Sequence, residues 1–109
     1  MADIDPYAIA KRLLSFSTES AKKTGEYTKL YEMRKPVLYT IAASCNEQSA
    51  AAKEQYAYRS EEYKEHIDKM YKAEVEAAIA KGKLEAERVR IDLIRTVSAN
   101  EREVNRHLP

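Results

Sequence analysis

The stretch EAAIAKGKLEAERVR, residues 76–90, consists almost entirely of strong helix-forming residues, with one glycine, Gly82, near its centre. Glycine destabilises a helix interior by about 1 kcal/mol relative to alanine. Ala78 and Ala86 lie about one turn before and after Gly82, so three small residues follow one another on one helix face. We therefore predict that another helix packs closely at Gly82. The alternative is a tolerated glycine on the surface.

The helical pattern of this stretch extends in both directions along the chain. Asn46 and Ser49 are typical of helix N-caps, and an alanine run follows Ser49. The sequence therefore predicts a turn at about residues 45–49 and one long C-terminal helix over residues 49–106. Such a helix cannot bury an apolar face against itself, so it must pack on the preceding helices, on another copy of the chain, or on both.

The apolar residues of this long helix recur with steps of four, four and three residues. An eleven-residue period of this kind predicts a nearly straight or slightly right-handed coil, rather than a left-handed heptad coil. The predicted stripe comprises Ile67, Tyr71, Val75, Ala78, Gly82, Ala86, Val89, Leu93, Val97, Asn100, Val104 and Leu108. It is widened on one side by Met70, Ala73, Ala77, Ala80, Ile91 and Ile94. A face this broad suits contact with more than one helix.

The N-terminal part of the chain predicts a helical arm over residues 5–45. Asp5 can cap the helix start, and Pro6 fits its first position because its missing N–H costs nothing there. The stretch SFSTES, residues 15–20, and Gly25 are candidate breaks, since serine and threonine compete for backbone hydrogen bonds. Pro36 removes one helical hydrogen bond, and we expect a kink there because the apolar face continues across it.

These elements predict an all-α fold, an extended helical hairpin or coiled coil within a single helical domain over residues 1–109. The long helix would be only partly covered by the kinked arm. We therefore expect a homo-oligomer in which a second copy covers the rest. The predicted oligomer interface comprises Ala78, Gly82, Ala86, Val89, Leu93, Ile94, Val97 and Val104.

Composition and charge limit the possible locations and partners. The net charge is +1, so no overall basic charge attracts nucleic acid, and the single cysteine, Cys45, cannot form an intrachain disulfide. The start of the chain lacks the basic and apolar regions of a secretory signal. The longest apolar run, VLYTIAASC, is too short to span a bilayer. We expect a cytoplasmic protein that does not enter a membrane.

No catalytic motif is present, whether a glycine-rich phosphate loop, HExxH, CxxC or GxSxG. His66 and His107 lie about forty residues apart on one predicted helix and could not share a site. We expect His66 to be solvated or at the rim of an interface, and Cys45 to be a small buried residue. The sequence predicts no enzyme activity, metal, cofactor or small-molecule substrate.

Two features leave direct nucleic-acid binding open. The eight tyrosines favour a tyrosine-rich helix interface, but they could also stack on single-stranded bases. Arg88, Arg95, Arg102 and Arg106 would lie on one side of the long helix and form a candidate nucleic-acid contact. We favour a solvated flank, since nearby carboxylates dilute this basic ridge: Glu85, Glu87, Asp92, Glu101 and Glu103.

Over about residues 26–100 the chain resembles small helical-hairpin proteins of uncharacterised function encoded by tailed bacteriophages. The resemblance rests on EYTKLYEMRKPVL, then a cap-type turn, then SAAAKEQYAYRSEEYKEHI, then AKGKLEAERVRIDLIRTVSANER. It implies a shorter helix folded back on a longer one. It also implies a gene among phage replication and recombination functions, and hence the host cell cytoplasm.

Three hypotheses about function follow. The favoured one is a non-enzymatic interaction protein, an accessory factor in phage DNA replication or recombination that acts through protein–protein contacts. The second is a direct nucleic-acid-binding protein that uses the basic ridge. The third is a phage-encoded inhibitor of a host protein.

Overall fold

The computed structural model describes residues 5–108, and it confirms the all-α helical hairpin with one long C-terminal helix. The four helices are α1 (Pro6–Glu32), α2 (Arg34–Ser44), α3 (Ala50–Arg59) and α4 (Glu61–Arg106). No strand occurs within this described range. Helix α4 alone contains 46 residues.

The chain divides into two compact units. The first unit comprises the described residues of Met1–Ala21 and Ile79–Pro109, and the second unit comprises Lys22–Ala78. In the first unit, α1 runs antiparallel to α4 and places Arg12 against Glu87. In the second unit, Lys23 contacts Glu76 and Leu30 contacts His66, so the later part of α1 and the early part of α4 are also antiparallel.

Helix α1 begins as the sequence predicts but is not broken where we expected. The Asp5 carboxylate accepts a hydrogen bond of 2.9 Å from the Tyr7 backbone N–H, and Pro6 occupies the first helical position. The helix then continues through residues 15–20 and through Gly25, so the chain is broken at neither candidate position. Ser20 is buried within its unit. Packing of this helix face outweighs the local competition of the serine side chains.

Pro36 interrupts the helical hydrogen bonding, as its chemistry requires. Helix α1 ends at Glu32, whose carbonyl would have bonded to the missing N–H of residue 36, and α2 starts at Arg34. Met33 lies between them and keeps right-handed helical dihedral angles, with φ −78° and ψ −7°. Its N–H bonds to the Lys29 carbonyl and its own carbonyl accepts from Val37.

A small apolar core forms where α2, α3 and the start of α4 meet in the second unit. Leu38, Ile41 and Ala57 are buried there, and Tyr63 packs against them. The turn that leads into α3 ends at Ser49, whose hydroxyl accepts a hydrogen bond of 3.1 Å from the Ala52 backbone N–H. The predicted turn at residues 45–49 is therefore present.

The predicted single helix over residues 49–106 is wrong, because the chain breaks at Ser60. Ser60 has extended dihedral angles, with φ −67° and ψ 148°. Its hydroxyl donates to the Ala57 carbonyl at 2.7 Å and accepts from the Tyr63 N–H at 3.2 Å. One side chain thus ends α3 and caps α4. The Ser60 hydroxyl bonds to backbone groups that would otherwise bond within a continuous helix, and serine side chains commonly compete with the helical backbone in this way.

Candidate interaction surface on helix α4

In the first unit, one face of α4 packs against α1. We call this face the seam: its residues are buried or half-buried and follow one another in alternating steps of four and three. They are Ala80, Leu84, Glu87, Ile91, Ile94 and Ser98. On α1 the facing half-buried or buried residues Ile9, Leu13, Phe16 and Ser20 show the same spacing. A seven-residue period of this kind is the pattern of a coiled-coil pair.

This seam corrects the predicted packing face. The eleven-residue stripe is not the surface that α4 buries within the chain. Instead, the residues that we described as widening the stripe provide the contact, among them Ala80, Ile91 and Ile94. In the second unit the same is true of Met70, Ala73 and Ala77, which are half-buried or buried.

Apart from Ile67, which is half-buried in the second unit, the stripe itself faces solvent in the described chain. Within the first unit we define the outer stripe as a row of exposed apolar or small residues on this face of α4. It comprises Ile79, Gly82, Ala86, Val89, Leu93, Val97 and Val104. Leu93 is 60% exposed and Val89 is 57% exposed. Leu93 follows Leu84 by nine residues, which is about two and a half helical turns, so the two leucines lie on opposite faces. The same spacing separates Val89 from Ala80.

The eight residues predicted for an oligomer interface therefore divide into two groups. Ile94 is half-buried and belongs to the seam, where it also lines a groove beside α1. The other seven are exposed: Ala78 in the second unit, and Gly82, Ala86, Val89, Leu93, Val97 and Val104 in the first.

The surroundings of Gly82 test the predicted close packing of another helix at this residue. A Cβ atom added at Gly82 would meet no atom of the described chain within 4 Å, apart from its own helix backbone and neighbours. The predicted close packing at Gly82 therefore does not occur within this chain. Gly82 is exposed on the surface of the described chain, in agreement with the alternative of a tolerated surface glycine.

One seam position carries a charge instead of an apolar side chain. The Glu87 side chain is only 3% exposed, and Oε2 accepts a hydrogen bond of 3.0 Å from Arg12 Nε. Its other oxygen, Oε1, lies 2.6 Å from an Arg90 guanidinium nitrogen. Both arginines remain about half exposed, so their stems cover the carboxylate while their charged ends reach water.

These contacts keep Glu87 ionised. The hydrogen bonds from Arg90 contribute most to lowering the pKa of Glu87, burial opposes them, and the hydrogen bond and charge of Arg12 add to the lowering. The net result is a pKa of about 2, against an ordinary value of 4.5. The sequence pattern predicts Glu87 to be one of the carboxylates that dilute the basic ridge on a solvated flank, and its burial in the seam corrects this prediction. Its position three residues after Leu84 and four before Ile91 is the signal that places it in the seam.

The structure separates the four arginines of the predicted basic ridge into two pairs. Arg88 contacts Glu85 at 2.7 Å, and Arg106 contacts Glu103 at 3.4 Å. Arg95 and Arg102 form no ion pair within residues 5–108. They line the groove of about 450 Å³ between α1 and α4, together with apolar side chains such as Ile9, Leu13, Ile91 and Ile94.

In the second unit, the tyrosines divide between interface and surface. Tyr27 and Tyr63 are half-buried, and the Tyr63 ring meets the Tyr58 ring edge to face at 5.4 Å. The exposed Tyr31 stacks under the Arg34 guanidinium at 4.0 Å. Two of the seven rings of this unit are therefore half-buried in packing, and the other exposed rings are those of Tyr39, Tyr56, Tyr58 and Tyr71.

His66 takes part in packing between helices. It is half-buried, and its Nε2 lies 2.7 Å from the Leu30 carbonyl oxygen of α1. A carbonyl oxygen can only accept, so Nε2–H donates, and this fixes the position of the ring proton when His66 is neutral. The rim position expected from the sequence agrees with this half-burial. The bond across the helix pair was not foreseen.

Other kinds of site find little support in the described residues. Within residues 5–108, no three side chains from His, Cys, Asp and Glu come together in a group that could hold a metal ion. Cys45 is half-buried, and its thiol donates to the Ala42 carbonyl at 3.1 Å. None of the helices in this range is long and apolar enough to cross a membrane.

Comparison with known proteins adds no assignment to this geometry. No protein-family model, curated protein or solved structure matches the chain.

Proposed function

We propose that this chain is a non-enzymatic helical interaction protein that binds other protein chains through the outer stripe of α4. One observation carries this proposal. The seam already satisfies the packing of α4 within the first unit, and yet the opposite face of the same helix exposes a second row of large apolar side chains.

The arrangement of these side chains distinguishes the outer stripe from ordinary surface residues. Single exposed apolar residues are common on proteins and need no explanation. Val89, Leu93 and Val97 instead follow one another at one turn each, and each is more than 40% exposed. Full burial of one such side chain contributes roughly 1.5–3 kcal/mol, so covering the row would stabilise a complex substantially.

The biological setting that we propose rests on the sequence resemblance. An accessory factor in phage DNA replication or recombination would act in the host cytoplasm and would present its helix surface to partner proteins. A phage inhibitor of a host protein could use the same surface. The two roles differ only in the chain that the outer stripe binds.

Direct nucleic-acid binding is the second candidate, and it rests on Arg95 and Arg102. These two arginines have no carboxylate partner within residues 5–108, whereas Arg88 and Arg106 are paired with Glu85 and Glu103. Fluorescence anisotropy with labelled DNA at several salt concentrations tests it. Affinity that falls steeply with salt and is lost in Arg95→Ala/Arg102→Ala would favour this candidate. We expect no such binding.

A photo-crosslinking residue placed at position 93 tests the proposed interaction surface. The matched control carries the same residue at Leu14, which is 66% exposed on α1 and lies outside the outer stripe. After illumination in cells that contain the protein, mass spectrometry identifies the adducts. We expect position 93, and not position 14, to crosslink to a protein chain, whether a second copy or an identified partner. Equal yields at the two positions would overturn the proposal.

A further inference from the structure

We propose that the groove between α1 and α4 in the first unit binds a small amphipathic anion, namely an alkyl chain that ends in a carboxylate. The alkyl chain would lie on the apolar walls of the groove, and the carboxylate would bind Arg95 and Arg102. The inference goes beyond the proposed function, because it concerns a different surface and a different class of ligand.

The size and the walls of the groove are those of a small-molecule site. Its volume is about 450 Å³. Clefts of roughly 300–1,000 Å³ with mostly apolar walls and a few polar groups are typical of such sites. Among the described residues that line the groove, all are apolar except Arg95, Ser98 and Arg102.

The apolar walls stay accessible to solvent, although several of them belong to the seam. Leu13 of α1 and Ile94 of α4 are only half-buried. Leu84, further along the seam, is 7% exposed. The helix pair thus closes over its apolar side chains near Leu84 and leaves part of them uncovered in the groove.

The register of the two helices explains why the groove opens at this end. Arg12 faces Glu87 in an antiparallel pair, so Pro6, six residues earlier, lies beside the turn of α4 that contains Ile94. Helix α1 begins at Pro6, whereas α4 continues to Arg106. The last part of α4 therefore extends past the start of α1, and Arg102 lies on this extension.

Arg95 and Arg102 give the groove a positive charge that no side chain of the described chain compensates. Neither arginine has an ion pair within residues 5–108, and none of the described residues that line the groove is an aspartate or glutamate. The two residues are seven positions apart, which is about two helical turns, so they lie on the same side of α4. A guanidinium group offers paired N–H donors whose geometry matches that of a carboxylate.

The two features of the groove together select the class of ligand. The phosphates of a nucleic acid would satisfy the arginines but would leave the apolar walls in water. A neutral apolar molecule would cover the walls but would leave both charges without a partner. An alkyl carboxylate covers the walls with one end and compensates the charge with the other.

Isoleucine methyl NMR tests the location of the site. Ile9, Ile91 and Ile94 line the groove, whereas Ile79 belongs to the outer stripe and Ile41 to the core of the second unit. The probe is dodecanoate, titrated below its critical micelle concentration. We expect saturable shifts of the three groove methyls and none at Ile79 or Ile41. Equal shifts at Ile79 would show unspecific association with exposed apolar side chains and would overturn the inference.

Removal of charge tests the role assigned to the arginines. Arg95→Gln/Arg102→Gln should weaken the binding of dodecanoate about tenfold, because it removes hydrogen bonds between charged groups. Arg88→Gln/Arg106→Gln is the matched control and should bind like the wild type, because neither residue lines the groove. All four arginines are exposed, so both variants should fold, and circular dichroism checks their helix content. Equal affinities of the two variants would contradict the assignment.

Two further probes separate the contributions of the chain and the charge. Dodecyltrimethylammonium carries the same alkyl chain with the opposite charge, and acetate carries the carboxylate without the chain. We expect both to shift the groove methyls much more weakly than dodecanoate at equal concentration. Equal binding of the cation would mean that apolar contact alone is responsible and would overturn the proposed ligand class.

Other occupants of the groove would give a different pattern. DNA or an acidic peptide that shifts the groove methyls, together with no shift by dodecanoate, would overturn the inference in favour of that partner. Crosslinks from position 93 decide the proposed function separately, because Leu93 does not line the groove.

Discussion

Nε of Arg12 in α1 lies 3.0 Å from Oε2 of Glu87 in α4, although the two residues are 75 positions apart in the chain. This contact crosses the seam of the first unit, and Arg90 holds the other carboxylate oxygen. Removing one partner of a buried ion pair leaves the other without compensation, and this destabilises a protein more than losing a surface pair. Several expected outcomes follow from this contact and from the two faces of α4.

Replacement of Glu87 by glutamine should lower the melting temperature by several degrees. The amide keeps the size of the side chain but loses the charge that both arginines contact. Glu85→Gln is the matched control, because the Glu85 side chain is 56% exposed and its ion pair within residues 5–108 is with Arg88 of the same helix. Thermal unfolding followed by circular dichroism measures both. Equal melting temperatures for the two variants would show that the Glu87 contacts do not stabilise the fold.

Glu87 should also make stability depend on pH below about 4.5. The pKa of Glu87 is about 2 in the folded chain, against an ordinary value of 4.5, so between these values the unfolded chain binds the additional proton. Stability from this group is present above pH 4.5 and is lost as the pH falls through about 2. Urea unfolding at several pH values should show this loss in the wild type. The difference between the wild type and Glu87→Gln should shrink over the same range, and a constant difference would contradict the prediction.

Leu84 and Leu93 should respond differently to truncation, because they lie on opposite faces of α4. Leu84 is 7% exposed and fills the seam, so Leu84→Ala should cost roughly 2–5 kcal/mol of unfolding free energy. Leu93 is 60% exposed, so Leu93→Ala should change the stability of the monomer by no more than about 0.5 kcal/mol. Urea unfolding at low protein concentration, where the chain is monomeric, compares the two. A larger effect at Leu93 would mean that the outer stripe and the seam are exchanged.

Gly82 and Gly25 form a matched pair for testing how the two glycines are placed. Both glycines lie inside helices. A Cβ added at either one would meet no atom of the described chain within 4 Å, apart from its own helix backbone and chain neighbours. Gly25→Ala and Gly82→Ala should therefore each stabilise the monomer by roughly 0.5–1 kcal/mol, the difference in helix propensity.

Urea unfolding followed by circular dichroism compares both variants with the wild type. A loss of stability in Gly82→Ala, with a gain in Gly25→Ala, would contradict this expectation and would show that another helix packs closely against Gly82.

Much of the fold could be predicted from local chemistry. Pro6 after Asp5 marked the start of α1, and Ser49 marked the start of α3, because capping and proline geometry act within a few residues. The break at Ser60 was missed because its neighbours favour helix so strongly. The extended dihedral angles of Ser60 and the two hydrogen bonds of its hydroxyl reveal the break in the structure.

The choice of packing face could not be settled from apolar periodicity alone. The outer stripe carries valines and a leucine, whereas Ala80, Glu87 and Ser98 are three of the six residues of the seam. A prediction that gives most weight to large apolar residues therefore selects the outer stripe instead of the seam as the packing face. The seam depends on a partner helix whose facing residues, such as Leu13 and Phe16, lie far away in the sequence together with Arg12, and a pattern within one helix cannot reveal it.

The end of the seam has a consequence for local opening of α4. Ser98 is the last half-buried residue, and every residue from 99 to 108 is exposed. The backbone hydrogen bonds of this last segment are therefore supported by helix propensity and by surface contacts such as that of Arg106 with Glu103, and not by burial. Those near Leu84 open only when the paired helices separate. Amide hydrogen exchange along the single helix α4 should thus rise steeply after Ser98, so that one continuous helix contains a slowly exchanging part and a freely fraying end.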